Sequence, residues 1–347
     1  MLVNVQLLRF VAALAVVLYH AAPLWSAPPP WVAACAAMGF SGVDVFFVIS
    51  GFILWHTTRD RHGPRAAATF LTRRFVRIFT GYWPFFAIAL VLWSWLAPHE
   101  LAAKDWTGSL LLAPIPMDRR VIPVSWTLTY ELYFYLLFAL LLGFAPRHRT
   151  PVLCVLGVCV LAAMIVIVWD SGEQGLVQRV PRWLRPLASP YLLEFLAGAL
   201  IARIHAAGWC RGAGLALAGG VALFALGGWL NVGGHALESG VQVARRVTVF
   251  GPAAGLLVYA AVSLDARGRR LWPPVSILLG GASYSLYLAH TLFIAVFSGI
   301  GLGRTLAAVG ETSAILVWIS VMVLYSVAHY RWLERPCYRA VCRWFGA

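Results

Sequence analysis

Long apolar runs separated by short polar stretches recur along the whole chain, at about 7–25, 37–56, 78–97, 124–144, 151–169, 187–206, 212–231, 246–264, 276–298 and 313–333. A helix needs about 20 apolar residues to cross a hydrocarbon core roughly 30 Å thick. The pattern therefore predicts an all-α, polytopic membrane bundle of about ten transmembrane helices. Turn signals stand between the runs, at Pro28-Pro29-Pro30, Pro114 to Pro116, Pro273-Pro274 and Gly299 to Gly303. No charge-rich linker and no second composition zone interrupts them, so residues 1–347 are expected to form a single domain.

Composition narrows the class. Of 347 residues, 61% are hydrophobic and 12% charged, with a mean hydropathy of +0.80. Soluble domains are about 45–50% apolar and about 25% charged, which excludes a soluble enzyme. A disordered or repeat-built chain is excluded as well. The net charge is +14, and every basic residue except Lys104 is arginine. These residues are scattered between apolar runs rather than gathered on one segment, so no nucleic-acid partner is expected. The lipid bilayer is the expected partner, and the charges are read first as a topology signal.

With the N-terminus inside, the inner loops carry Arg59, Arg61, Arg65, Arg73, Arg74, Arg77, Arg147, Arg149, Arg203, Arg211, Arg267, Arg269 and Arg270, and the tail adds Arg331, Arg335, Arg339 and Arg343. The outer loops carry Lys104, Arg119, Arg120, Arg179, Arg182, Arg185, Arg245, Arg246 and Arg304. The inner set is roughly twice as large, which predicts both termini in the cytoplasm. Leu7 to Tyr19 resembles a signal-peptide core and Ser26-Ala27 a weak cleavage site. Because more spans follow, the first helix is expected to be retained. The six cysteines make no Cys-x-x-Cys and no cluster with histidine, so neither a disulfide framework nor a metal site is expected, only small buried free thiols.

Ionisable side chains within a span cost roughly 2.5–3.5 kcal/mol each on insertion scales, which makes each a functional candidate. They are Arg9, His20, Asp44, Glu131, Glu194 and His290. Any one alone reads equally well as a polar group satisfied by a neighbouring helix. At 1.5 Å per residue, however, His20, Asp44, Glu131, Glu194 and His290 all fall roughly 8–12 Å below the outer surface, which predicts one buried site. Arg9 and His20 are eleven residues apart, about 20° past three full turns, so they share a helix face about 16 Å apart. Arg74 and Arg77 project together from the cytoplasmic start of the third span. Guanidinium pairs suit phosphate oxygens, although positive-inside topology and lipid headgroups explain this cluster equally simply. Taken together, the features suit a bar-shaped ligand with an anionic head at Arg74 and Arg77 and its reactive end at His20. Acyl-coenzyme A has that form, and an intramembrane histidine beside a carboxylate suits a general base acting on an acceptor hydroxyl.

Several segments carry a resemblance. Arg9 and His20 fit an Arg-x10-His pattern within Val5 to His20, and Gly42 to Phe52 fits a second-helix signature. Arg74-x-x-Arg77, Ser125 to Tyr135, Ser283 to His290 and Glu334-Arg335-Pro336 follow in order. On these motifs the sequence resembles the acyltransferase family 3 integral membrane proteins, especially the exopolysaccharide O-acetyltransferases. The resemblance implies a ten-helix, multi-pass enzyme of the bacterial inner membrane. Such an enzyme takes an acyl group, usually acetyl, from cytoplasmic acetyl-CoA and gives it to a hydroxyl of a glycan, often a polyprenyl-linked oligosaccharide. It implies His20 as the essential residue, Arg74 and Arg77 at the CoA head, and a function for Glu131. Thr127 stands where the family usually has serine, and Thr80-Gly81 where proline often follows the arginine pair. No hydrolase-like extension follows Ala347, so no second catalytic domain is expected to pass the acyl group on.

The expected mechanism has His20 as base, oriented by Glu131 or Asp44, with Arg9, Arg74 and Arg77 on the CoA phosphates. Ser125, Trp126, Tyr130, Tyr135, Glu194 and His290 are expected around the acyl group and the sugar. Arg179, Arg182, Arg185, Arg245 and Arg246 read better as solvated loop charges than as a grip on an anionic glycan. The rival is a transporter or flippase using the buried acids and His20 as a proton relay. Its marks would be internal repeats and paired broken helices, and no convincing repeat is present. A non-catalytic scaffold leaves the stacked Arg9 and His20 unexplained. An acyltransferase using succinyl or a longer chain, or a small-molecule acceptor, remains compatible with the sequence.

Overall fold

The computed structural model describes residues 2–235, 237, 243–302 and 310–346, and for residues 167–179 the backbone alone. Arg304 and the side chain of Arg179 lie outside the described residues. Among the described residues there are helices and no strands. The principal helices are α1 (Val3–Ala21), α2 (Pro30–Gly39), α3 (Gly42–Thr58), α4 (Pro64–Leu96), α5 (Trp126–Leu142), α6 (Pro146–Arg179), α7 (Tyr191–Ala206), α8 (Ala213–Leu230), α9 (Val243–Ala266), α10 (Pro273–Gly299), α11 (Glu311–His329) and α12 (Arg335–Trp344).

Each of the ten apolar runs forms a helix. Among the described residues eight helices are long and apolar enough to cross a membrane, or nine if the bent pair α2 and α3 counts as one span. α7 has 16 residues, about 24 Å of helix, which is less than the hydrocarbon thickness. Proline opens α2, α4, α6 and α10, where its fixed φ suits a first turn and its missing N–H costs nothing. Pro28 to Pro30 and Pro273-Pro274, read as loop signals, therefore mark helix starts. Apolar side chains such as Val155, Val158, Leu215 and Val221 cover the outside of α6 and α8, as expected of a surface bathed in lipid.

α1 lies at the centre, packed against α2, α3, α9 and α10. α7 lies against α3 with the two backbones in contact. A Cβ built on Gly51 would overlap the Phe195 carbonyl oxygen, and one on Gly198 would overlap that of Val48. Small residues are what allow membrane helices to approach so closely. Beyond α11 the chain passes through one π-helical turn, Tyr330–Glu334, into α12. Turns of this kind re-aim side chains, and this one delivers Glu334 to the bundle interior.

Two sets of sequence expectations are corrected. Arg120, Arg149 and Arg246 are buried rather than loop charges. Arg149 donates to Phe144 O (3.2 Å) and Thr58 O (3.1 Å), and closely to Arg61 O, which ties the start of α6 to the end of α3. Arg246 lies within α9. The cysteines are all free, but Cys342 alone among them is buried, and Cys154, Cys159 and Cys337 are exposed. Cys154 and Cys159 lie on the lipid-side surface of α6, where a small apolar thiol is tolerated.

Candidate active site

Three cavities follow one another through the bundle. The first, of about 760 Å³, opens beside Arg61, Arg73, Arg74, Arg335 and Arg339. The second, of about 150 Å³, shares Arg9, Arg74 and Arg77 with it and continues between Glu131, Tyr284 and Tyr287. The third, of about 580 Å³, shares Val43 and Tyr287 with the second and holds His20. The single helix α1 thus presents Arg9 to the first two cavities and His20 to the third, about three turns apart.

His20 has two partners. Its Nδ1 lies 3.0 Å from the Val16 carbonyl oxygen and 3.2 Å from Nε2 of His290. A carbonyl can only accept, so Nδ1 carries the proton and Nε2 keeps its lone pair. His290 is fully buried, and its own Nδ1 has no partner among the described residues. Neither Glu131 nor Asp44 is a hydrogen-bond partner of His20.

Glu131 belongs to the middle cavity. It accepts from Tyr135 OH (2.5 Å) and Ser50 Oγ (2.9 Å), so its oxygens face the arginine end. Asp44 is fully buried and clasps Arg246, with Nε at 3.1 and 3.0 Å from its two oxygens and Nη2 at 2.5 Å. The Arg246 guanidinium also donates to Phe40 O (3.0 Å) and stacks over the rings of Phe40 and Tyr191, 4.9 and 5.4 Å from their centroids. Glu194 is fully buried beside this pair, with its carboxyl against that of Asp44. The five polar groups expected at one depth therefore divide. His20 and His290 are paired, Asp44 and Glu194 flank Arg246 behind the same cavity, and Glu131 faces the other way.

At the arginine end, Arg77 pairs closely with Glu334, which also accepts from Ser285 Oγ (2.6 Å). Ser285 Oγ lies 2.9 Å from His329 Nδ1. Arg77 is further held over the ring of Tyr284, 5.4 Å from its centroid. Arg74 lies over the rings of Phe70 and Tyr135 and reaches Thr57 Oγ1 at 3.4 Å. Arg9 touches Gln6 Oε1 at 3.3 Å. The Glu334-Arg335-Pro336 motif is explained by this geometry, because Glu334 fixes Arg77 while Arg335 joins the cavity wall. Such a concentration of guanidinium groups suits a polyanion with several phosphates.

Trp126 and Tyr130 line the His20 cavity, and Tyr135 lines the middle one. Ser125 is buried and donates to Ile122 O (2.7 Å), capping the turn before α5. Thr127 Oγ1 reaches Tyr287 OH (3.2 Å), and Tyr287 OH donates to Val124 O (3.1 Å). Sequence reasoning missed Arg246 as the partner of Asp44. The available signal was an arginine and an acid both at membrane depth, where each requires the other. Sequence reasoning gave no role to Arg335 or Tyr287, although both lie within the Glu334-Arg335-Pro336 and Ser283 to His290 motifs, nor to Arg339, which carries no distinctive spacing.

Comparisons with known proteins identify the family. An acyltransferase domain model matches residues 2–331. The exopolysaccharide production protein ExoZ of Rhizobium meliloti (strain 1021) is 35% identical over 312 residues, covering 87% of this chain and 90% of the relative. The acyltransferase MdmB of Streptomyces mycarofaciens is 28% identical over 371 aligned positions, covering 97% and 91%. No solved structure matches. With a family model spanning nearly its whole length and helices built to cross a membrane, the chain belongs to the membrane acyltransferases of acyltransferase family 3.

Proposed function

We propose that the protein transfers an acyl group, acetyl in the first place, from cytoplasmic acyl-CoA to a hydroxyl of a surface or exported glycan. The observation that carries this reading is the series of adjoining cavities, sharing wall residues, that leads from a cluster of arginines to His20 along one helix. The arginine end takes the CoA phosphates, at Arg9 and Arg74 with Arg77 held by Glu334. The pantetheine arm threads the narrow middle cavity. On the positive-inside rule the arginine end faces the cytoplasm, an orientation that suits an enzyme of the bacterial inner membrane whose glycan enters from the opposite side. The relative named for exopolysaccharide production supports a polysaccharide, or its polyprenyl-linked precursor, as the acceptor.

His20 Nε2 is the general base. It removes the proton from the acceptor hydroxyl as the oxygen attacks the thioester carbonyl. The C–S bond then breaks, and the imidazolium returns the proton to the departing CoA thiolate. Val16 O fixes the tautomer and His290 limits rotation of the ring. This assigns to His290, rather than to Glu131 or Asp44, the task of orienting His20. Trp126 and Tyr130 offer ring faces and a hydroxyl to the sugar.

The test is transfer of labelled acetyl from acetyl-CoA to the glycan in proteoliposomes, together with mass spectrometry of the cell-surface polysaccharide with and without the protein. His20→Ala is expected to lower transfer by about 10²–10⁴-fold while the protein stays folded in the membrane. Transfer at the wild-type rate by that variant would refute the assignment of His20.

A further inference from the structure

The His20 cavity is basic as well as aromatic. Arg120, Arg182, Arg185 and Arg246 line it, and among the described residues no acidic side chain does. In the orientation proposed above, these arginines lie on the side that positive-inside topology would deplete, so topology does not account for them. Two neighbouring basic residues behave differently. Lys104 and Arg119 are exposed or nearly so, and they donate to the carbonyls of Asp118 (2.8 Å) and Ala103 (3.0 Å).

Arg120 is 2% exposed, and its guanidinium is satisfied on one nitrogen only. Nη2 donates to Ala113 O (2.9 Å), Ile115 O (3.3 Å) and Thr129 Oγ1 (3.0 Å). Nε and Nη1 have no acceptor among the described residues. That leaves three N–H donors of a permanently charged group unmatched, just beneath the surface of a residue that lines the 580 Å³ cavity. Buried charged donors are normally matched, and a mismatch of this size requires an explanation. Arg246 differs, because Asp44 already neutralises it.

We infer that the His20 cavity contains an oxyanion subsite centred on Arg120, which takes a carboxylate or phosphate oxygen carried by the acceptor. Arg182 and Arg185 at the rim supply the surrounding positive potential. The chemistry is shared by two sources, a uronate or other acidic sugar within the glycan and the pyrophosphate joining a glycan to its lipid carrier. An anion anchored at Arg120 fixes the acceptor while a hydroxyl of the same molecule approaches His20 Nε2. That the anion belongs to the acceptor rests on the function proposed above. The existence of the subsite does not.

The test uses the full-length protein in phosphatidylcholine nanodiscs with the arginine end first saturated with coenzyme A, so that added anions report on the other cavity. Inorganic pyrophosphate, methyl glucuronide and the neutral methyl glucoside are titrated separately by calorimetry. At least one anion is expected to bind ten-fold or more tightly than the neutral glycoside. Preference for the glucuronide would assign the subsite to a sugar carboxylate, and preference for pyrophosphate to the lipid carrier. Arg120→Gln is expected to abolish the preference and Arg120→Lys to retain part of it. Wild-type protein binding all three probes alike would overturn the proposal without recourse to any variant, as would an undiminished preference in Arg120→Gln. If the anion preference holds but labelled acetyl reaches no glycan, the functional reading fails and the subsite stands.

Discussion

Asp44→Asn separates a chemical role for this carboxylate from a structural one. Asp44 and Arg246 are joined by three contacts of 2.5–3.1 Å, and their side chains are 0% and 6% exposed. Removing one partner of such a pair strands the other charge, at a cost of about 3–5 kcal/mol. Asparagine keeps the volume and one acceptor oxygen, and Phe40 O still accepts from Nη2. The Asn variant is therefore expected at the lower end, about 3 kcal/mol, and Asp44→Leu at the upper end, about 5 kcal/mol. At about 2 °C per kcal/mol for a large domain, these correspond to apparent Tm decreases of about 6 and about 10 °C at a fixed scan rate.

Replacing both partners by apolar residues removes the stranded charge, so Asp44→Leu combined with Arg246→Met is expected to recover most of the loss. The assay is thermal unfolding of purified protein in detergent, paired with acyl transfer normalised to the folded fraction. An Asp44→Asn protein with an unchanged Tm and no transfer would refute the reasoning, because the carboxylate would then be acting on His20 or on the substrate. A double variant no more stable than Asp44→Leu would also refute it, because the pair would not be the source of the cost.

Two further substitutions test the division of labour in the site. His290→Ala is expected to lower kcat about tenfold or more with the KM for acyl-CoA unchanged, and His290→Gln to restore part of it, since a side-chain amide still reaches His20 Nδ1. A rise in the acyl-CoA KM alone would place His290 on the donor instead. Glu131→Gln retains an acceptor for Tyr135 and Ser50, so its effect is expected mainly in the acyl-CoA KM, measured by steady-state transfer at saturating acceptor. A kcat loss as large as that of His20→Ala would return Glu131 to the proton-transfer step.

The sequence conveys depth along a helix well and rotation about it poorly, and the site shows both outcomes. Arg9 and His20 lie on one helix, so their common face follows from helical periodicity alone, and both side chains do line one run of cavities. Glu131 and His20 lie on different helices. The sequence expects them at similar depth, but the direction in which α5 faces depends on packing against α3 and α4, and it turns Glu131 towards the arginine end. The Asp44–Arg246 pair spans 202 positions, and nothing local announces it. Arg120 and Arg149 fall between apolar runs and therefore read as solvated. Arg120 is buried where its loop folds back on itself, and Arg149, in the first turn of α6, is buried against the end of α3, each finding carbonyl acceptors there. Topology counting treats every loop arginine as a free charge, whereas several here hold the backbone.

The dimensions of the cavities constrain which substrate enters from which side. The end cavities, at about 760 and 580 Å³, are several times larger than the 150 Å³ segment between them. Tyr287 stands where the narrow segment meets the His20 cavity, and its hydroxyl is tied to Val124 O and Thr127 Oγ1. The constriction is therefore set by hydrogen bonds rather than by a freely rotating ring. So small a volume suits an unbranched arm ending in a thioester better than it suits a sugar chain. The charges agree, since the arginine end suits a polyphosphate head too large and too hydrated to follow the arm. On the function proposed above, donor and acceptor approach from opposite faces and meet at His20, with the arm itself filling the narrow segment. A transporter would need that segment to widen enough for the glycan to pass, whereas group transfer needs only the acyl carbon to reach the far side.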